Sequence, residues 1–119
     1  MNVVLVFLGG GLGAASRWLV SSQITSSGGF PSGTLAVNLL GCLAIGVASA
    51  YLVAQPRFTL FFVVGLLGGF TTFSSFGLDA WRLLVVSDYK NLVTYLLASN
   101  VIGILLVIFG HKIGTHFGI

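Results

Sequence analysis

A chain of 119 residues that is 56% hydrophobic and only 6% charged, with a mean hydropathy of +1.09, lies outside the composition of ordinary soluble domains. That excludes a soluble enzyme or binding module and leaves an all-α integral membrane protein. The net charge of +3 is spread along the chain, so no nucleic-acid surface is read from it.

About 20 apolar residues cross a hydrocarbon core of ~30 Å, and four segments fit that length, at roughly 2 to 22, 33 to 54, 58 to 85 and 92 to 114. The first has no basic stretch before it and is rich in glycine, so it reads as a membrane span and not as a signal peptide. Near its end Arg17 stands beside Trp18, either as an interfacial anchor or as a buried structural charge. A Ser/Gly-rich loop from Ser21 to Gly33, containing Pro31, then turns the chain.

In the second segment Asn38 follows Gly33-Thr34-Leu35-Ala36-Val37. Its amide carries two N–H donors suited to an anion, and it suits hydrogen bonding between helices equally well. Cys42 lies in an apolar helix, where a lone thiol is usually packing. A tight link, Gln55-Pro56-Arg57, leads on.

The third segment holds the most informative run, Gly68-Gly69-Phe70-Thr71-Thr72-Phe73-Ser74-Ser75-Phe76, within an uncharged stretch from 58 to 78. Glycine and threonine weaken a helix, and hydroxyls compete for its backbone hydrogen bonds. The run predicts a helix broken near 68–75 at membrane depth. Backbone groups freed there must be satisfied by protein or line a polar cavity, so such breaks commonly form ion or substrate sites. Asp79, one turn after Phe76, is placed to cap a helix or pair with an arginine.

Ser87-Asp88-Tyr89-Lys90 leads into the fourth segment, where Tyr95, Ser99 and Gly103 recur every four residues and share a face, with Asn100 beside them. A small-residue packing seam is the plainer reading of that face. His111 and His116 have no carboxylate or cysteine nearby in sequence and read as interfacial side chains, not metal ligands. Gly9 and Gly13, Gly65 and Gly69, and Ala44 and Ala48 are each four apart, the spacing that lets helix backbones approach closely.

The chain is read as a single four-helix unit, residues 1–119. Four crossings place Arg57 and Lys112 on one side and Arg17, Arg82 and Lys90 on the other. Two against three is no clear bias, so insertion in both orientations is expected. There is no glutamate, and Asp79 and Asp88 are the carboxylate side chains.

Gly9-Gly10-Gly11-Leu12-Gly13-Ala14 with Arg17-Trp18, then Gly33-Thr34-Leu35-Ala36-Val37-Asn38-Leu39-Leu40-Gly41, then the Gly68 to Phe76 run, together resemble the small bacterial fluoride channels called Fluc or CrcB. The resemblance covers essentially the whole chain. It implies four-helix subunits in an antiparallel dual-topology dimer in the bacterial cell membrane, with fluoride pathways and a central structural sodium ion. Asn38, Phe73, Phe76, Tyr95 and Ser99 then look like fluoride-pathway residues, and the Gly68 and Thr71 carbonyls like the sodium ligands. Arg17 and Asp79 look structural. Phe70, Ser75, Gly77, Asp79 and Gly103 depart mildly from the family's usual residues.

Two other readings suit the composition. A small multidrug-type proton-coupled exporter shares the size and helix count, but it needs a membrane carboxylate, which only Asp79 supplies. A non-transporting assembly subunit leaves the polar run unexplained. No enzymatic role is expected, and a partner subunit with a paralogous sequence stays open beside the homodimer.

Overall fold

The computed structural model describes residues 1–26, 28–51 and 54–118. Among these the chain is helical throughout its ordered elements, with no strand. Helix α1 runs Asn2–Gln23 and ends where Ile24 turns extended. Helix α2, Ser32–Tyr51, starts directly after Pro31, which cannot donate a backbone hydrogen bond and so suits a helix start. The expected extension of this helix to residue 54 crosses 52–53, which lie outside the described residues.

Helix α3 covers 56–70 and opens with Pro56 in its first turn. Its middle, Thr59–Leu67, is wound as a wider π-helix. Thr71 (ψ 157°) and Thr72 (φ −149°) are then extended. Helix α4, Phe73–Val85, restarts with Thr72 as its N-cap, the hydroxyl accepting from Ser75 N at 3.1 Å. That bond satisfies one of the donors a new helix leaves open. Helix α5, Tyr89–Gly118, is capped by Asp88, whose carboxylate accepts from Asn91 N at 3.3 Å. One π-helical turn, Ala98–Ile102, lies inside it.

Four spans, Asn2–Gln23, Ser32–Tyr51, Pro56–Val85 and Tyr89–Gly118, are long and apolar enough to cross a membrane. Thirty residues at ~1.5 Å each measure about 45 Å, which matches the longest dimension of 46 Å. Packing is pairwise: α1 lies along α3, and α2 along the Gly103–Gly118 half of α5. Little apolar surface is hidden. Val37, Leu83 and Tyr95 are the buried apolar side chains among the described residues, while Val3, Phe7, Trp18, Val86 and Phe117 are at least two-thirds exposed. Such an exterior is stable in lipid and not in water. The protein is a multi-pass membrane protein.

With so few large side chains inside, the helices are held by backbone proximity. A Cβ added at Gly9 or Gly13 would collide with backbone of Phe61, Gly65 or Leu66, and one at Gly46 or Gly110 with backbone of Val107 or Leu43. These two glycine seams weld α1 to α3 and α2 to α5.

Candidate functional site

The two extended residues after α3 are pinned by Asn38 of α2. Its Nδ2 donates to the Thr72 carbonyl at 3.0 Å, and its Oδ1 accepts from Thr72 N at 2.9 Å. In an unbroken helix Thr72 N–H would donate to the carbonyl four residues back, that of Gly68. Asn38 takes that donor instead, and the Gly68 carbonyl loses its helical partner. The amide's second N–H has no partner among the described residues.

Other bonds brace the same place. The Thr71 hydroxyl and backbone N–H both donate to the Leu67 carbonyl, at 2.9 and 3.0 Å, which ends α3 firmly and leaves the Thr71 carbonyl turned out of the helix by its extended ψ. Arg17 Nε donates to the Gly69 carbonyl at 3.1 Å, so the half-buried arginine ties the end of α1 to the end of α3. Gly69 also sits against Gly10 and Ala14 of α1 with no room for a side chain. Gly68, its neighbour, has room: an added Cβ would lie 3.7 Å from Val63 O, an ordinary contact.

A cavity of about 370 Å³ opens beside this interruption, lined by Asn38, Cys42, Gly68, Thr71, Thr72, Phe73, Phe76, Ser99 and Asn100 among others. It brings six residues singled out from sequence into one place: Asn38, Gly68, Thr71, Phe73, Phe76 and Ser99. Its lining can donate hydrogen bonds. It holds amide and hydroxyl donors and two phenyl rings whose edges are electropositive, and no carboxylate lines it. The Ser99 hydroxyl is buried without a hydrogen-bond partner, an arrangement that costs about 1–3 kcal/mol unless something occupies it.

Tyr95 is fully buried and does not line the cavity. Its ring packs 5.1 Å from that of Phe76 and 5.8 Å from that of Phe30, and its hydroxyl donates to Asp79 Oδ2 at 3.3 Å. Asp79 also lies 3.8 Å from Arg82 Nη1. The arginine is well exposed, so this pair adds little stability, but the carboxylate is held behind Tyr95, away from the cavity. Phe73 is 83% exposed, and its ring sits 5.6 Å from that of Phe76.

Three further residues emerge here. Cys42, expected as packing, lines the cavity. Thr72 combines the N-cap with the Asn38 bonds, and a threonine placed just before a helical run is the sequence signal for it. Asn100 lines the cavity although it neighbours, and does not share, the Tyr95–Ser99 register. His111 Nδ1 lies 2.7 Å from Ser49 Oγ, and no cluster of three histidine, cysteine or acidic side chains exists among the described residues. A second hollow, about 970 Å³ between α1, α2 and α3, is lined almost wholly by Leu, Val, Ala and Phe side chains. It is larger but offers an ion almost nothing.

Sequence comparison agrees in direction with the site's chemistry. Residues 4–111 match the family model described as CrcB-like protein, Camphor Resistance (CrcB). The chain is similar to the fluoride-specific ion channel FluC of Helicobacter acinonychis (strain Sheeba), 41% identical over 98% of this chain and 99% of the relative. It is also similar to the protein of that name from Helicobacter pylori (strain J99), 40% identical over 98% and 97%. A third, from Hydrogenobaculum sp. (strain Y04AAS1), is 41% identical over 96% and 98%.

Proposed function

The chain belongs to the CrcB family, and from that membership together with the donor-lined cavity we infer that it is a fluoride-selective channel, passively exporting fluoride across the cell membrane and so lowering cytoplasmic fluoride. The observation that carries the reading is the Ser99 hydroxyl, buried without a partner beside a cavity whose lining already presents amide donors and phenyl edges and no carboxylate. A small, strongly hydrated anion stripped of water in a low-dielectric site costs on the order of tens of kcal/mol unless donors replace that water. The free N–H of Asn38, the hydroxyl of Ser99 and the ring edges of Phe73 and Phe76 supply several modest replacements. Several weak sites allow both entry and exit, which conduction needs. Tyr95 acts from behind, fixing Phe76 through ring contact and holding Asp79 off the pathway. Conduction needs no covalent step, and no enzymatic role is assigned.

The working unit we propose is an antiparallel homodimer with the interruption of the third span at membrane depth. Two features support it: the Lys/Arg balance of two against three, which favours insertion both ways up, and the Phe73 ring, which lines the cavity yet stays 83% exposed in a single chain. A structural sodium ion fits the same interruption. The Gly68 carbonyl, released when Thr72 N–H goes to Asn38, and the outward Thr71 carbonyl are oxygen donors of the kind a hard cation takes. Bound there, sodium would supply a fixed positive charge between pathways. The room beside Gly68 within one subunit accords with a need for that space at the dimer centre.

Liposomes loaded with fluoride and carrying the purified protein should release fluoride, read with a fluoride electrode, without a proton gradient and with far slower chloride loss. Equal chloride and fluoride rates would defeat the selectivity, and fluoride release that requires an opposing proton gradient would favour an exporter built on Asp79.

A further inference from the structure

We propose that Asn100 is a second amide donor of the conduction cavity, facing the permeating anion together with Asn38 and Ser99 and helping set selectivity for a small, strongly hydrated anion. The proposal deepens the fluoride-channel reading and rests on it.

Asn100 lies eleven residues along the span that begins at Tyr89. At ~1.5 Å per residue that is about 16 Å along a helix of about 45 Å, inside a ~30 Å hydrocarbon layer centred on the span. A carboxamide at that depth is expensive against lipid and is normally turned to protein or to a polar cavity. Asn100 is exposed in the single chain and lines the cavity.

The backbone explains how. In a regular α-helix neighbouring residues point about 100° apart, so one cavity wall normally receives every third or fourth residue. Ser99 and Asn100 are adjacent, yet both line this wall. They sit inside the π-helical turn Ala98–Ile102, whose wider winding brings successive side chains closer in angle. Single π-turns of this kind recur at functional sites.

The amide has donors to spare. One N–H of Nδ2 bonds the Leu96 carbonyl at 2.8 Å, which fixes the side chain's direction. The other N–H has no partner among the described residues, like the second N–H of Asn38 across the same cavity. Two half-used amides and one orphan hydroxyl are together the donor set that a dehydrated anion requires.

The test uses the full chain in liposomes, with fluoride and chloride release measured separately and the amount of assembled protein checked by size exclusion before reconstitution. Asn100→Leu should lower fluoride release at least tenfold per assembled protein. Asn100→Gln, which keeps the amide, should retain more flux than the leucine variant. Asn100→Asp, nearly isosteric but with a negative charge in place of the donor, should abolish release. Thr94→Val, on the same helix with its hydroxyl turned back to the Lys90 carbonyl, serves as the control and should conduct like wild type.

An assembled Asn100→Leu protein within twofold of wild type overturns the proposal. Should the leucine variant fail to assemble, the assembled aspartate variant decides, and release at the wild-type rate overturns it equally. Failure of the wild-type protein to release fluoride would instead defeat the channel reading itself.

Discussion

The glycine seams and the cavity beside Thr72 use the same small residues for opposite ends. Along α1 and α3, Gly9, Gly13, Gly65 and Gly69 remove side chains so that two backbones touch, and no space remains for a methyl group. One residue from Gly69, Gly68 opens onto a space of about 370 Å³. The difference lies in the hydrogen bonding of the backbone. Along the seams the backbone stays helical, so the surface is smooth and can be packed. At Thr71 and Thr72 the helix is interrupted, Asn38 substitutes for one helical partner, and carbonyls and hydroxyls face a void. Tight seams make that interruption tolerable, because the helices on either side are held by contacts that do not depend on it.

The largest expected effect is therefore in the seams. Gly13→Leu and Gly46→Leu should leave little or no folded protein, seen as loss of a monodisperse peak in detergent, because the side chain meets backbone that cannot move aside. Overpacking a fitted interface costs about 1–3 kcal/mol or more. Gly68→Ala, with ordinary contact distances, should remain folded. Equal tolerance at Gly13 and Gly68 would break the contrast.

Next is the interruption itself. Asn38→Leu removes two hydrogen bonds at 2.9 and 3.0 Å, each worth about 0.5–1.5 kcal/mol net, and strands Thr72 N–H and C=O. Stability should fall by about 1–3 kcal/mol in a denaturant titration in detergent, and fluoride release should fall at least tenfold.

Ser99→Ala separates function from stability. The hydroxyl it removes is buried and unpartnered, so the variant should be as stable as wild type or slightly more so, while its fluoride release drops several-fold. A stable variant with undiminished flux would remove Ser99 from the pathway.

The smallest effect is expected at Gly11, exposed on α1 with open space where a Cβ would go. Gly11→Ala should change stability by no more than about 1 kcal/mol, the scale of the helix propensity difference, and leave flux unchanged. A severe defect would mean that this face is covered in the assembly.

Much of this was legible in the sequence, and the reasons are specific. Lipid as solvent demands long apolar helices, so Asn2–Gln23 and Ser32–Tyr51 announce themselves by composition. The α1–α3 seam announces itself by glycine spacing of four, whereas the α2–α5 seam runs through Gly46 and Gly110, and the Ala44–Ala48 pair lines the second hollow instead. The site was legible as a list, since polar groups are costly in a bilayer and Asn38, Thr71 and Ser99 stand out from their surroundings. Their division of labour was not. Asn38 reads as two donors for an anion or as a bond between helices, and the fold commits one N–H to Thr72 and leaves the other without a partner among the described residues. Tyr95, spaced to stack over Ser99, turns instead to Asp79.

What the sequence determined by itself is therefore the class of solvent, the number of crossings and the α1–α3 seam, because each follows from local composition and spacing against a ~30 Å apolar layer. Only the tertiary structure decided which backbone donor Asn38 captures, which hydroxyl is left without a partner, and that Cys42 and Asn100 join the cavity wall. Those outcomes depend on how α2, α3 and α5 are turned toward one another. Helix rotation is set by contacts between segments distant in sequence, and a π-turn resets it partway along α5.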